Sequence, residues 1–313
     1  MKCERIYLDE KKEIYLDTYL LGDSEEFYAG KKRKLILICP GGGYQFTSDR
    51  EAEPIALAFN AMGHHAVVLE YHCDLQAVMP QPLRDLAQAI VYVKQHADEW
   101  RVDPEQVYVA GFSAGGHLAA SLGVFWKDTE LIPGYEDCRE LLKPAGMILG
   151  YPVIDLKSTQ TRLDIGIPDG TPLEEIQFGQ KHPAIALKDL YVVEGEKRYV
   201  NFEVAMNAYM FGGYATEEQL RQWSLEYHVT PDTPPAFIWH GGEDGLIYPR
   251  NSTRMASAMV EQGIPVELHI FGRGGHGLGL ANEVTGQNPW ERVPDCEPWI
   301  GLCRTWLEGR REF

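Results

Sequence analysis

Between Leu35 and Leu307, short apolar runs alternate with stretches of helical spacing, and this alternation narrows the possible folds more than any other feature. The runs Leu35–Cys39, Ala66–Tyr71, Val107–Gly111, Ala145–Tyr151, Ala236–His240 and Val266–Phe271 are continuous and rich in Val, Ile and Leu, as strands covered on both faces tend to be. The spacing predicts helices between them, over Arg50–Met62, Pro82–Asp98, Ala114–Trp126, Pro249–Gln262 and Pro298–Leu307. Strand alternating with helix implies an α/β fold: a mostly parallel central sheet, right-handed crossovers and helices on both faces.

Three local patterns refine this frame. Ser48 followed by Glu51 predicts a capping box at the start of the first helix. Arg5–Leu8 and Glu13–Leu21 alternate apolar with polar residues and predict an antiparallel hairpin at the sheet edge. Residues 155–232 break the rhythm with "IPDGTP", several aromatics and mixed helical fragments. Within a single domain spanning 1–313, that stretch reads either as a cap or lid insertion or as an excursion packed on the sheet.

Composition decides which partners to expect. The chain has 313 residues, 44% hydrophobic and 24% charged, enough for a sizeable core. A formal net charge of −17 argues against nucleic acid, which draws on clustered Lys and Arg. No apolar run approaches the ~20 residues of a membrane span. The opening "MKCERIYLDE" lacks an apolar signal-peptide region, so a cytoplasmic protein is expected. Six scattered cysteines without a Cys-x-x-Cys pair read as reduced thiols. His64, His65, His72 and Cys73 crowd together, but neighbouring strand residues point to opposite faces, so neither metal nor cofactor is expected.

Two glycine-rich turns carry the chemistry. "CPGGGY" at 39–44 leaves a predicted strand, which brings backbone N–H groups toward negative charge. A phosphate cradle would open directly into a helix or carry a following lysine. Here Tyr44, Gln45, Phe46 and Thr47 intervene and no lysine follows, so the charge is better read as transient. Gly111–Phe112–Ser113–Ala114–Gly115 fits G-x-S-x-G between a strand and a helix, where a sharp turn frees the serine Oγ. The N–H of Ala114 then points to the same space from a helix N-terminus.

A serine hydroxyl needs a base, and the base an orienting acid. "HGGEDGLIYP" after Ala236–His240 offers Glu243 and Asp244 as acids, and "GRGGHGLGL" after Val266–Phe271 offers His276. His240 reads as structural, and His117 as packing or hydrogen-bonding near the serine turn.

The segments "PGGGY" at 40–44, "DPEQVYVAGFSAGGHLA" at 103–119, "GYPV" at 150–153, "HGGEDGLIYPRNS" at 240–252 and "GGHGLGL" at 274–280 together resemble the α/β-hydrolase superfamily. The branch they look like is that of acetyl esterases and lipases related to hormone-sensitive lipase and carbohydrate deacetylases. The resemblance implies an α/β-hydrolase fold with Ser113 as nucleophile, His276 as base and Asp244 as orienter. Asp244 is preferred over Glu243 for its place in H-x-x-x-D-x-x-I-x-P. It implies an oxyanion hole from Gly42, Gly43 and Ala114. Pro40 stands where many relatives carry histidine, which fits the sugar-deacetylase relatives better.

The activity implied is that of a serine carboxylesterase acting on short acetyl esters, such as O-acetylated sugars or xylo-oligosaccharides. An amide-cleaving hydrolase, formamidase- or peptidase-like, is the alternative, and a non-catalytic binding protein of the same fold a third. The expected partner is a small-molecule ester, with neither nucleic acid nor membrane. Tyr44, Trp223 and Trp239 are candidates to stack on sugar rings, although tryptophans in such a chain are more often core.

Overall fold

The computed structural model describes residues 1–11, 13–26, 30–176 and 181–309. In chain order its strands are β1 (Arg5–Tyr7), β2 (Tyr15–Tyr19), β3 (Arg33–Cys39), β4 (His65–Glu70), β5 (Val102–Phe112), β6 (Met147–Gly150), β7 (Tyr191–Glu194), β8 (Lys197–Val200), β9 (Ala236–Gly241) and β10 (Val266–Phe271). The α-helices are α1 (Glu53–Ala61), α2 (Gln81–Gln95), α3 (Ala97–Trp100), α4 (Ala114–Phe125), α5 (Leu187–Leu190), α6 (Phe202–Phe211), α7 (Glu217–Gln222), α8 (Arg250–Glu261) and α9 (Trp299–Gly309).

Eight strands form one sheet in the order β1-β2-β4-β3-β5-β6-β9-β10. Every pair from β4 to β10 is parallel, and the expected N-terminal hairpin adds β1 and β2 antiparallel at one edge. Arg5 stands directly opposite Asp17 in that hairpin and donates to both carboxylate oxygens at 2.8 Å.

The two-residue period of a strand sorts the core into two layers. Leu35 and Leu37 of β3 pack with Leu86 and Ile90 of α2, Leu118 of α4 and Met255 of α8. Ile36 and Ile38 pack with Ile55 and Phe59 of α1 and Trp299 and Cys303 of α9. Helices therefore cover both faces, which is why these strands read as continuous apolar runs.

The first predicted helix differs from expectation. Ser48 makes no capping bond; a 3₁₀ turn covers Asp49–Glu51, and α1 begins only at Glu53, with Pro54 in its first turn. The capping box fails because the Glu51 carboxylate is turned inward, to the Gly41 N–H and the Tyr151 hydroxyl. β5 also starts earlier than predicted, since Val102 pairs with Arg33 across a bulge.

The stretch 155–232 contains α5, the antiparallel pair β7–β8, α6 and α7; its residues 177–180 lie outside the described residues. Ile185, Leu190, Tyr191 and Val200 form a small cluster of their own, whereas Phe202, Met206 and Tyr209 of α6 join the main core. Among the described residues, no helix is long and apolar enough to cross a membrane.

Candidate active site

All the parallel strands point their C-terminal ends to one edge of the sheet, the usual location of a site in such folds. Five adjacent strands, β3, β5, β6, β9 and β10, deliver Gly41–Gly43, Ser113, Tyr151, Asp244 and His276 to that edge.

Ser113 occupies the tight turn from β5 into α4, with φ +53° and ψ −121°, a conformation costly for a residue bearing a Cβ. The turn is held from three sides. The Ser113 N–H donates to the Gly150 carbonyl at 3.0 Å, and the Ser113 carbonyl accepts from the N–H groups of His117 and Val153, each at 3.1 Å. Two residues on, a Cβ at position 115 would lie 2.1 Å from the Cys39 carbonyl oxygen. Glycine there lets the first turn of α4 press against the end of β3, where the Gly41–Gly43 loop begins.

Ser113 Oγ lies 2.8 Å from His276 Nε2, and His276 Nδ1 lies 2.7 Å from Asp244 Oδ2. A carboxylate oxygen only accepts, so Nδ1 carries the imidazole proton and Nε2 is left to accept from the serine hydroxyl. Asp244 is itself held firmly. Its Oδ1 accepts from the N–H groups of Leu246 at 3.0 Å and Ile247 at 2.9 Å, and its Oδ2 also accepts from His240 Nε2 at 3.1 Å. His240 thus has the structural place expected of it, with its other nitrogen 2.7 Å from Ser252 Oγ. Glu243, the competing acid, points elsewhere and accepts from the Gly274 N–H at 3.2 Å.

The electrostatics follow. Burial alone would push the Asp244 carboxyl up, but the charge of His276 and the hydrogen bonds from His240 and His276 hold it well below the usual carboxylate range. Burial pushes the His276 imidazole down; Asp244, by charge and hydrogen bond, and Glu51, by charge, outweigh it and raise the pKa.

Opposite the serine, Gly42 has φ +129°, and a Cβ there would fall 2.0 Å from the Phe46 carbonyl oxygen, so only glycine fits. Among the described residues, none accepts from the N–H groups of Gly42, Gly43 or Ala114. These are the donors expected at an oxyanion. Gly41 differs, because its N–H is already bonded to Glu51 Oε2 at 2.7 Å.

The expected sugar-stacking aromatics are placed otherwise. Tyr44 is 0% exposed, Trp223 3% and Trp239 0%, so none offers a face to a substrate. The Tyr44 hydroxyl donates to His117 Nδ1 at 2.8 Å, and His117 Nε2 donates to the Trp223 carbonyl at 2.8 Å. Together they form a buried strut from the glycine loop across α4, and burial pushes His117 down to about 4. Trp239 stacks on Trp299 in the core, ring centroids 5.0 Å apart. What sequence reasoning missed is Glu51 with Tyr151. The S-x-x-E pattern drew attention to Glu51 for a local role that it does not play.

Among the described residues, no cluster of three or more His, Cys, Asp or Glu side chains is placed to hold a metal ion.

Comparison with known proteins agrees with this fold. The BD-FAE family model matches residues 24–182, just over half of the chain, and the prolyl oligopeptidase family model matches residues 197–287. Endo-1,4-beta-xylanase B of Butyrivibrio fibrisolvens is 31% identical over 256 residues, covering 80% of this chain and 33% of the xylanase. The chain spans less than two thirds of the length of the curated relatives it matches. Solved structures match it end to end. The carboxylesterase Cest-2923 of Lactobacillus plantarum superimposes with TM-score 0.75 and 28% identity, over 99% of this chain and 98% of that one. An acetyl ester-xyloside bifunctional hydrolase of Caldicellulosiruptor lactoaceticus does so with TM-score 0.72 and 27% identity, over 98% and 96%. With its tight strand-to-helix serine turn on a mostly parallel sheet and a family model matched over half its length, the chain belongs to the BD-FAE family and has the α/β-hydrolase fold.

Proposed function

We propose that the chain is a serine carboxylesterase that hydrolyses short acyl esters, acetyl groups on xylo-oligosaccharides being its natural class of substrate. The observation that carries this reading is the hydrogen-bonded series Ser113–His276–Asp244, at 2.8 and 2.7 Å, at the sheet edge that also bears Gly42, Gly43 and Ala114, whose N–H groups have no acceptor among the described residues. In the reaction, His276 Nε2 takes the Ser113 proton as Oγ attacks the ester carbonyl carbon. The resulting oxyanion accepts from Gly42, Gly43 and Ala114. Collapse expels the alcohol, which leaves with the proton from His276, and an acyl group remains on Ser113. Water, losing its proton to His276, then attacks the acyl carbon; collapse releases the acid and returns the proton to Ser113. Asp244 fixes the tautomer and stabilises the imidazolium throughout.

The substrate class is supported by relatives with xylan-related names, an endo-xylanase and an acetyl ester-xyloside hydrolase. Six free thiols suit a reducing compartment such as the cytoplasm. The stretch 155–232 acts as a cap. In support, the Phe202 ring of α6 lies 3.4 Å from the position a Cβ on Gly43 would take, and the Met210 carbonyl accepts from the Met79 N–H at 2.8 Å.

A peptidase reading has one observation in its favour, the prolyl oligopeptidase match over 197–287. That segment holds Asp244 and His276, which both reaction classes use in the same way, and not the serine turn or the glycine loop. The deciding assay compares acetylated xylo-oligosaccharides, p-nitrophenyl esters of rising chain length and aminoacyl amides. Ser113→Ala should fold normally and lose at least about 1,000-fold in turnover of p-nitrophenyl acetate. Retention of most activity in that variant would refute the mechanism, and faster cleavage of aminoacyl amides than of acetyl esters would refute the esterase assignment.

A further inference from the structure

Glu51 is a buried carboxylate that the reaction described above leaves without a role. It is 3% exposed and lies on the 3₁₀ turn before α1, and its carboxylate bridges Gly41, ten residues away, and Tyr151, a hundred residues away. Its Oε2 accepts from the Gly41 N–H at 2.7 Å, at the root of the loop bearing Gly42 and Gly43. Its Oε1 is 2.7 Å from the Tyr151 hydroxyl, which accepts from the Gly279 N–H at 3.0 Å on the loop bearing His276. The Tyr151 ring stands edge-on to the imidazole, centroids 5.0 Å apart. The Gly41 and Gly279 N–H groups can only donate. The Tyr151 hydroxyl, already accepting from one of them, therefore donates to Glu51, and the ionised carboxylate is the form that satisfies every partner.

We propose that Glu51 is a positioning residue: through Gly41 and Tyr151 it sets the glycine loop and the His276 loop relative to each other, and its negative charge stabilises the imidazolium. This rests on the esterase reading above and assigns a further part of its machinery. The charged and titratable groups around His276 are Asp244 on Nδ1, Ser113 on Nε2, Tyr151 at the ring edge and Glu51 behind it. His240 lies beyond Asp244. Arg50, adjacent in sequence, is held by Glu291 at 2.7 Å and by the Gly277 carbonyl at 2.9 Å, so its charge is already matched. Burial pushes the Glu51 carboxyl up, while the Tyr151 and Gly41 hydrogen bonds and the His276 and Arg50 charges partly reverse this.

The test measures kcat and kcat/KM against pH with p-nitrophenyl acetate for wild type, Glu51→Gln, Glu51→Asp and Tyr151→Phe, with Ser113→Ala alongside. Glu51→Gln removes the charge and keeps the size. Its acidic limb of kcat/KM should move down by about one pH unit, and the same lost interaction should lower kcat by about tenfold with KM little changed. Glu51→Asp restores the charge and should return the limb toward wild type. A folded Glu51→Gln whose acidic limb does not move, or whose kcat stays within about twofold of wild type, overturns the proposal. If Glu51→Gln fails to fold, Tyr151→Phe decides. It breaks the link and keeps the charge, so kcat should fall about tenfold with the limb unmoved, and kcat within about twofold of wild type overturns the proposal. An active Ser113→Ala would instead sink the esterase mechanism, so the two failures are distinct.

Discussion

Replacing Asp244 by Asn tests the orienting role at its most constrained point. Asn keeps the shape but turns one acceptor oxygen into a donor, so it must choose which way to face. With its oxygen toward His276, the NH₂ would meet the N–H groups of Leu246 and Ile247, now 3.0 and 2.9 Å from Asp244 Oδ1. The buried Ile247 N–H would lose its acceptor, at about 1–3 kcal/mol, and the half-buried Leu246 N–H would lose its acceptor too. With its oxygen toward those two N–H groups, the NH₂ faces His276 Nδ1 and His240 Nε2. His240 Nε2 retains the Ile247 carbonyl at 2.8 Å, and His276 escapes the clash by changing tautomer. The tautomer swap is the smaller cost to stability, so the second orientation wins. Nε2 then carries the proton and cannot accept from Ser113 Oγ.

The expected outcome is a fold close to wild type and a kcat lower by about 10,000-fold, or ~5.5 kcal/mol of transition-state stabilisation. KM should change little, because Asp244 is 2% exposed and out of reach of substrate. Loss of the charge that raises the His276 pKa should also move the acidic limb of kcat/KM to lower pH. The assay is steady-state hydrolysis of p-nitrophenyl acetate across pH, with a thermal melt to confirm folding. A variant retaining more than about a tenth of wild-type kcat, or losing efficiency only through KM, would refute the reasoning.

Trp223→Ala should destabilise by about 3–5 kcal/mol, because the ring is 3% exposed and packs on Phe125 at 5.6 Å; a shift in KM with an unchanged melt would restore it as a substrate contact. Thermal melts should show stability falling as pH is lowered from about 6.5 toward 4, because burial holds His64, His65 and His117 down to about 4. Depressed folded-state pKa values of this kind give stability that is fully present above the unfolded value and lost as protons bind the unfolded chain. A Tm constant across that window would show that burial does not hold these imidazoles neutral.

The serine turn and the histidine are legible because each is signalled by neighbours in sequence: glycines at 111 and 115 around Ser113, and glycines around His276. The strand end before "GGED" leaves Glu243 and Asp244 open, and only the H-x-x-x-D-x-x-I-x-P pattern favours Asp244. The strands emerged within a few residues of their positions, since a sheet covered on both faces leaves continuous apolar runs. Glu51 was misread because one pattern, S-x-x-E, serves two purposes, and the local one lost to a long-range tie. The availability of Tyr44 to substrate fails for a related reason, whereas Trp223 and Trp239 lie in the core, as tryptophans in such a chain more often do. A tyrosine behind a glycine loop looks available to substrate until the fold supplies His117, 73 residues away, as its partner. Hydrogen-bond partnership between residues distant in the sequence has no periodicity, so it leaves little trace in a single sequence.

The strand order explains why this site needs ties that no motif announces. His276 follows β10 and Ser113 follows β5, with β6 and β9 between them. Three strand spacings of about 4.8 Å put their roots ~14 Å apart, yet Nε2 and Oγ meet at 2.8 Å. The histidine loop must therefore run back across the sheet edge, and "GRGGHGLGL" gives it the freedom to do so. Freedom alone would leave the imidazole unplaced, because a glycine-rich loop loses the most entropy on ordering. Side chains from elsewhere fix it instead: Glu243 on the Gly274 N–H, Arg50 on the Gly277 carbonyl, Tyr151 on the Gly279 N–H and Trp299 on the Gly279 carbonyl. Arg50 and Glu51 are adjacent, so one short turn before α1 anchors the histidine loop directly and, through Tyr151, ties it to the Gly41–Gly43 loop as well. Part of the positioning of the histidine loop thus falls to a segment that supplies none of the reacting atoms in the proposed reaction.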